Sequence, residues 1–189
     1  LANDTHLGYH APNLFYLAGL QAPGFGVSGA TVPGVPFTIL GHNGHIAWGL
    51  TTTESDTQDL FIERLDPDNT DRYETPEGMR KFEIHDETIV VRGSDNVAIV
   101  IRRSRHGPIV SDVYPTIQDI SRPGHVIALA AAALRPDDLT IEAAYHLNRA
   151  QDWSSFQEAL RHFHSPQQNV MFADVNGNLG MFAPARVPI

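Results

Sequence analysis

The chain has 189 residues, of which 42% are hydrophobic and 19% charged, and its formal net charge is −9. This length can bury a sizeable core and favours one domain or a part of a larger one. The acidic balance argues against nucleic acid as a partner, because neutralising phosphates requires a basic surface. The absence of cysteine excludes disulfides, thiolate metal sites and a cysteine nucleophile. No apolar run reaches the length of a membrane span.

The two ends of the sequence indicate that it is an excerpt. Leu1 is not an initiator methionine, the first residues lack a basic-then-apolar signal pattern, and residues 185–189 have no tail composition. We therefore expect an internal piece of a longer protein, forming a single partial domain over residues 1–189.

The first third of the chain predicts short strands joined by turns. Residues 1–40 are rich in glycine and proline, which break long helices. A strand over residues 37–40 is predicted to pair with one over 45–50 across the glycine- and asparagine-containing turn at 41–44. In the second of these strands, alternation places Ile46 and Trp48 on one face. Residues 57–65 predict a further strand.

The middle of the chain combines a polar stretch with apolar runs. Residues 66–80 are polar and rich in turn-forming types, which predicts a surface excursion. The β-branched runs 88–92 and 97–103 flank a turn at 93–96 and predict a hairpin. The apolar run 126–134 is ambiguous between a strand and a helix by periodicity alone.

Two helices and a final hairpin are predicted in the last third. The first helix covers residues 140–150 and places four residues near one face: Ile141, Ala144, Tyr145 and Leu147. Ser155 and Glu158 have the spacing of a capping box, which would open a second helix ending near residue 163. Strands over 170–174 and 179–182 flank Asn176 and Gly177, a hairpin dipeptide. Many strands with two later helices indicate an α+β fold.

Short motifs in a fixed order relate this sequence to a known family. They are residues 1–7 (LANDTHL), the PG-x-P run around 23–36, the GHNGHIAWG stretch from Gly41 with a downstream Asp-x-x-Asp, the HGP triplet at 106–108, and the ADxNGNxG segment at 173–180. The sequence resembles the penicillin acylase family of N-terminal-nucleophile hydrolases, with Thr5 where proline is usual. The resemblance implies a four-layer αββα sandwich of mostly antiparallel strands, and it favours a strand at 126–134.

The resemblance also implies where catalytic groups would lie. The family's nucleophile is an N-terminal serine exposed by autocatalytic cleavage, and its own α-amino group acts as the base. That serine would precede Leu1, and the late asparagine that helps to stabilise the oxyanion would follow Ile189. The backbone donor to the oxyanion falls four residues after Trp48, at Thr52. His6 matches the position whose backbone meets the surroundings of the nucleophile. A plain strand-end threonine and a structural histidine are the alternatives.

The resemblance further implies a calcium site and an acyl pocket. Asp56 and Asp59 match two calcium carboxylates of the family, and Gln58 and Pro188 match backbone carbonyl ligands; oxygen donors of this kind suit calcium. A solvated acidic turn is the alternative. Three leucines fall where the family lines its acyl pocket, although core packing would also explain them: Leu7, Leu40 and Leu50.

The function implied is that of an amidohydrolase fragment. The intact protein is expected to cleave N-acyl amides, such as β-lactam side chains or acyl homoserine lactones, with calcium as a structural ion and no organic cofactor. Its partners would be the remaining α- and β-chain segments of the same precursor, in the periplasm or secreted. The isolated chain is expected to be inactive because it lacks the nucleophile. The alternative is a non-catalytic, calcium-stabilised β-rich binding module.

Overall fold

A computed structural model describes residues 1–8 and 10–187. It contains twelve strands and three α-helices within these residues. In chain order they are β1 (Tyr16–Ala22), β2 (Phe25–Thr31), β3 (Leu40–His42), β4 (Ile46–Thr52), β5 (Gln58–Asp66), β6 (Asn69–Thr75), β7 (Gly78–Lys81), β8 (Glu83–Ile89), β9 (Val97–Arg103), α1 (Pro115–Ile120), β10 (His125–Ala131), α2 (Thr140–Leu147), α3 (Trp153–Leu160), β11 (Gln168–Asp174) and β12 (Leu179–Phe182). All strand pairings between these elements are antiparallel. The α+β fold class predicted from the sequence is confirmed. No helix of the described ranges is long and apolar enough to cross a membrane.

The chain forms two compact units. The first comprises Leu1–Thr57 and the chain from Arg135 onward, and the second comprises Gln58–Leu134. The first unit contains a six-stranded sheet in the order β1-β2-β3-β4-β11-β12. The second contains a four-stranded sheet in the order β10-β5-β6-β7 and a separate two-stranded ribbon of β8 and β9.

The core of the first unit lies between one face of its sheet and the two later helices. Strands β4 and β11 supply alternate residues, with Trp48 directly opposite Phe172 in the register. These side chains form one buried cluster with Phe156 and Leu160 of α3 and with Leu147 of α2. Ile46 and Trp48 are both buried, which confirms the prediction that they share one face of the strand, since successive strand residues alternate between faces.

The strand predicted at 37–40 is wrong in position. Strand β3 covers Leu40–His42 instead and pairs with β4 through Gly41 and Trp48. The reason lies at Thr38, whose backbone N–H and C=O are both bonded to the side chain of Asn148. Because these two groups bond to a side chain, they do not pair with a neighbouring strand, and the strand begins later.

Both predicted helices exist, but the details differ. Helix α2 ends at Leu147, and its buried residues are Ala143 and Leu147, whereas Ile141 is 61% exposed. Of the four residues predicted near one face, Leu147 is buried, Ala144 is half-buried, and Ile141 and Tyr145 are exposed. The buried stripe instead joins Ala143 and Leu147, which are four residues apart and lie on one side of the helix. Helix α3 begins after Asp152, not Ser155, because Asp152 and Ser155 form the reciprocal capping box.

The second unit contains the largest error of the sequence prediction. Residues 66–80 are mostly exposed, as predicted, but they are not an irregular excursion: they contain β6 and β7, and β7 begins at Gly78, whose φ is +112°. Tyr73 of β6 is buried in a cluster with Phe82, Ile109, Val126 and Ala128. The buried Tyr73 attaches this polar stretch to the core of the second unit.

The other predictions for the second unit are confirmed with shifted ends. Strand β5 covers the run predicted at 57–65, and β10 covers most of 126–134 before a short 3-10 turn at Ala132–Leu134. The predicted hairpin is the ribbon of β8 and β9, although β8 begins five residues earlier than expected, at Glu83 rather than at 88. The six-residue helix α1 was not predicted; it begins at Pro115 and buries no residue.

Candidate functional site

The turn before β4 is held by the side chain of Asn43. Its Oδ1 accepts hydrogen bonds from the backbone N–H groups of His45 (3.1 Å) and Ile46 (3.0 Å). Its Nδ2 donates to the backbone carbonyl of Ala150 at 2.6 Å, just beyond α2. The turn therefore joins the start of β4 to the end of a helix, and it fixes where the strand begins.

A second asparagine, Asn148, anchors the approach to β3. Its side chain is 1% exposed, accepts from Thr38 N and donates to Thr38 O, each at 2.9 Å. A further bond from its Nδ2 reaches Ala144 O at 3.0 Å. Every polar atom of the Asn148 side chain therefore has a partner, as burial requires.

Each residue of β4 directs its backbone N–H and C=O either towards β3 or towards β11. The carbonyl of Ile46 accepts from Asn43 N at 3.1 Å, so its backbone groups point towards β3. Because the pointing direction alternates along a strand, Leu50 and Thr52 point the same way as Ile46. Thr52 is the last residue of β4 and lies opposite Gln168 of β11 in the register. Its N–H therefore points away from β11, on the side of β4 that carries β3.

The N-terminal segment reaches this same side of β4. The Oδ1 of Asn3 accepts a hydrogen bond from Leu50 N at 2.7 Å. Gly49 makes room for this contact, since a Cβ at that position would lie 2.6 Å from Asn3 Oδ1. The segment that contains His6 and Leu7 is therefore attached to β4 two residues before Thr52.

His6 has an unusual backbone conformation. Its φ is +44°, and among the described residues it is the one non-glycine residue with a positive φ. Its N–H donates to Asp4 Oδ1 at 3.3 Å, and the side chain is exposed. Such a conformation costs about 1 kcal/mol or more in a residue with a Cβ, and outliers of this kind concentrate at functional positions.

His6 and Leu7 line a shallow recess in the N-terminal segment. Its volume is about 490 Å³, and Asp4, Asn13 and Phe15 also line it. Neither Leu40 nor Leu50 contributes to its lining.

The three leucines of the predicted acyl pocket have different surroundings. Leu7 is 46% exposed. Leu40 is half-buried opposite Ala30 of β2, and Leu50 is half-buried against the core of the first unit. Core packing therefore accounts for Leu50 within the described residues, and a shared pocket stays a prediction.

The loop after β4 is held by a residue that the sequence did not single out. Gln167 donates from Nε2 to Ser55 O at 2.6 Å and to the hydroxyl of Thr57. Thr57 is buried, and Gln167 directly precedes β11. This side chain therefore connects the segment that leaves Thr52 to the neighbouring strand of the same sheet.

The predicted calcium ligands are located as follows. Asp56 is exposed in the loop that follows β4, whereas Gln58 and Asp59 are exposed at the start of β5, in the second unit. Asp59 accepts from Leu60 N at 2.7 Å, and Pro188 lies outside the described residues. Within residues 1–8 and 10–187, no group of three or more histidine, cysteine, aspartate or glutamate side chains could hold a metal. Two carboxylates with backbone carbonyls would not form such a group, so the calcium site stays a prediction.

An ion pair holds the end of the described chain. The two terminal guanidinium nitrogens of Arg186, Nη1 and Nη2, donate to Asp137 at 2.8 and 2.9 Å. Mainly through these bonds, Arg186 lowers the pKa of the Asp137 carboxyl to about 2. The segment that precedes Pro188 is thereby attached to the connection before α2.

The sequence missed Asn3, Gly49 and Gln167 as candidate site residues. Asn3 stands within the first family motif, which is a signal that it occupies a particular position, but the motif does not reveal its contact with Leu50. Gly49 follows Trp48 in the motif, and its role appears only when the neighbouring segment is seen. For Gln167 no pattern in the sequence predicts the contact.

Two curated relatives align with nearly the whole of this chain. Acyl-homoserine lactone acylase QuiP of Pseudomonas fluorescens (strain Pf0-1) is 30% identical over 189 residues, which are 100% of this chain and 22% of the relative. Penicillin G acylase of Escherichia coli is 29% identical over 181 residues, which are 95% of this chain and 20% of that protein. The chain thus spans roughly a fifth of the length of these curated relatives.

A solved structure also resembles this chain in fold. The structure of a thermostable penicillin G acylase from Alcaligenes faecalis, in its orthorhombic form, matches with a TM-score of 0.79 and 29% sequence identity. The match covers 94% of this chain and 31% of that chain. A family model described as penicillin amidase matches residues 1–189, the full length of the sequence. The chain therefore belongs to the penicillin amidase family.

Proposed function

We propose that the protein of which this chain is part hydrolyses N-acyl amides by acyl transfer to an N-terminal serine outside this chain. The serine hydroxyl attacks the carboxamide carbon and passes its proton to the serine's own α-amino group. Collapse of the tetrahedral intermediate releases the amine, which takes that proton, and leaves an acyl-enzyme. Water then attacks the ester and frees the carboxylic acid. An α-amino group suits the role of base because its ordinary pKa is near 8.

One observation carries this proposal beyond family membership. The N–H of Thr52 points to the side of β4 where Asn3 fixes the N-terminal segment. A backbone donor that a sheet holds in place needs no reorganisation when negative charge develops on a carbonyl oxygen. We assign this role to Thr52, and we assign to the backbone of His6 a position beside the nucleophile.

The experiment compares the full-length protein with the isolated chain. The full-length protein is expected to release a chromogenic amine from N-acyl amides, and residues 1–189 alone are expected to release none. Mass spectrometry of the full-length protein with a slowly deacylated substrate should locate the acyl group on an N-terminal serine. An acyl adduct on Ser28, Ser55 or Ser104 would contradict the mechanism, and so would turnover by the isolated chain.

The acyl group is proposed to be apolar and to contact Leu7, Leu40 and Leu50. Replacing Leu50 by phenylalanine in the full-length protein fills space and should shorten the preferred acyl chain. The check is kcat/KM over a series of linear acyl amides, with Leu60→Phe in the second unit as control, since Leu60 is 47% exposed. An unchanged preference would leave Leu50 as a packing residue only.

Calcium is proposed as a structural ion with Asp56, Asp59 and the carbonyls of Gln58 and Pro188 as ligands. These donors are all oxygens, which is the ligand type that calcium takes. The ion would neutralise the acids of the loop that leaves Thr52 and would take no part in bond breaking. In the full-length protein, Asp56→Ala and Asp59→Ala should each lower the Tm and abolish its dependence on a chelator. Asp95→Ala, in the exposed turn of the ribbon, is the control, and a wild-type Tm that ignores chelator would contradict the site.

Processing and location complete the proposal. We propose that autocatalytic cleavage of a precursor exposes the serine and that the mature protein is periplasmic or secreted. Edman sequencing of the mature chains tests the first statement, since a serine at one new N-terminus is required. Fractionation of the source cells tests the second.

A further inference from the structure

We propose that Asn3 is a positioning residue, which sets the backbone of β4 so that Thr52 N–H points at the reacting carbonyl oxygen. This inference rests on the proposed function and adds a residue to its machinery. Asn3 touches neither substrate nor nucleophile in the proposal; it acts through Leu50 and the strand.

The side of β4 that carries β3 has backbone N–H groups that β3 does not cover. Strand β3 is only three residues long and pairs with β4 at Trp48 and Ala47. On this side, Ile46 N–H is bonded to the Asn43 side chain and Leu50 N–H to the Asn3 side chain. Two asparagine oxygens therefore extend the ladder at either end of the short β3.

Asn3 bonds to β4 at Leu50, two residues before Thr52. Leu50 and Thr52 point the same way, and only Thr51 separates them. On the opposite side, β4 stays paired with β11 up to Thr52, whose register partner is Gln168. The end of β4 is paired with β11 on one edge and bonded to Asn3 on the other. These contacts restrict rotation of the backbone that carries the Thr52 N–H.

Gly49 supports this reading independently. A Cβ on Gly49 would lie 2.6 Å from Asn3 Oδ1 and 3.4 Å from Asn3 Cβ. Gly49 does not require a positive φ, so its lack of a side chain serves the close approach of Asn3. The contact therefore depends on both Gly49 and Asn3, and a substitution at either residue should disrupt it.

The test uses the full-length protein with two variants that break the contact from opposite sides. Asn3→Leu keeps the size of the side chain and removes the acceptor. Gly49→Ala keeps Asn3 but displaces its oxygen. Asn69→Leu is the matched control, because Asn69 Oδ1 also accepts a backbone N–H, that of Asp71 at 3.0 Å, in the second unit.

The decisive readout is kcat per active site, with the sites counted by acyl titration. Misplaced catalytic groups lower the rate of the chemical step, so we expect Asn3→Leu and Gly49→Ala each to lower kcat about tenfold, with KM little changed. A merely structural contact would lower the Tm and the number of active sites, and it would leave kcat per site at the wild-type value. That result, or an equal loss in Asn69→Leu, would overturn the inference.

Amide hydrogen exchange separates this inference from the proposed function. Loss of one hydrogen bond should speed exchange at Leu50 N–H about fivefold in Asn3→Leu. Asn3→Asp keeps an acceptor and should hold the wild-type rate. If the wild-type protein cleaved no acyl amide, the proposed function would fail, and exchange at Leu50 and Thr52 would still decide whether Asn3 orders the strand. Unchanged exchange in both Asn3→Leu and Gly49→Ala would refute the positioning role.

Discussion

The two units are both antiparallel, yet they bury their residues differently. In the first unit, α2 and α3 cover one face of the sheet, and Trp48, Phe156 and Phe172 are almost completely buried. In the second unit the core is smaller, and the ribbon of β8 and β9 leaves aliphatic side chains exposed, with Ile89 52% and Val100 58% accessible. Helices packed on a sheet provide a deeper core, and Thr52, the candidate oxyanion donor, belongs to the unit that has one.

The buried polar groups of the two units differ as well. The first unit buries Asn148, a neutral side chain whose bonds fix the backbone next to β3. The second unit buries Glu63, whose Oε1 lies 2.8 Å from His106 Nδ1, with the histidine ring stacked on Phe61. Amide side chains therefore hold backbone groups near the candidate site, whereas an acidic side chain pairs with a histidine in the second unit.

The largest expected effect comes from the aromatic core of the first unit. Phe156 is fully buried and lies 5.0 Å from Phe172 and 5.3 Å from Trp153, measured between ring centroids. Phe156→Ala should lower the free energy of unfolding by about 3–5 kcal/mol. The matching change in the second unit is Phe82→Ala, whose cost should be smaller because its cluster is smaller. Urea unfolding measures both, and equal costs would contradict the difference between the cores.

The next largest effect is expected at Asn148. Asn148→Leu removes the partners of Thr38 N–H and C=O, and each buried group left unpaired costs about 1–3 kcal/mol. Amide exchange at Thr38 should rise together with the loss of stability. A variant with wild-type exchange at Thr38 would show that the Asn148 side chain does not protect this N–H.

A smaller effect is expected at His106 in the second unit. His106→Ala leaves the buried Glu63 carboxylate without this partner and should cost about 2–3 kcal/mol. Changing both residues, with Glu63→Leu added, should recover part of the loss, since an apolar pair needs no partner. If the double variant were less stable than His106→Ala, the pair would do more than satisfy a buried charge.

The smallest effect is expected at the exposed pair of Asp137 and Arg186. The pKa of Asp137 is lowered to about 2 by Arg186, so the folded state is stabilised at pH values above the ordinary carboxyl pKa. This stabilisation is lost as the pH falls through the folded-state pKa of about 2. The Tm difference between wild type and Asp137→Asn should therefore be constant at neutral pH and vanish in strong acid. Asp95→Asn is the control, and a difference that persists in strong acid would exclude the ion pair as its cause.

Local patterns predicted much of the fold because their causes are local. The dipeptide Asn176–Gly177 predicted the hairpin of β11 and β12, and alternation predicted the buried face of β4. The sequence failed where a distant residue decides. Asn148 displaces the start of β3 from a position 110 residues away, and the buried Tyr73 attaches a polar stretch to the core of the second unit.

The candidate site was predictable only through resemblance. The resemblance implies Thr52 as the donor, four residues after Trp48, and the alternation along β4 gives the direction of its N–H. The contact between Asn3 and Leu50 joins residues 47 positions apart, and no pattern in either segment announces it. The remaining predicted ligand, Pro188, lies outside the described residues.

The central claim is that Thr52 N–H stabilises the charge that develops during acyl transfer, and one substitution tests it most directly. Thr52→Pro in the full-length protein removes the N–H, and no bond to β11 is lost because this N–H points away from that strand. Thr52→Ala keeps the N–H and is the control. The measurement is kcat per titrated site at an unchanged Tm. The account predicts a loss of about 100- to 1,000-fold for proline and little change for alanine; a proline variant as active as alanine would contradict it.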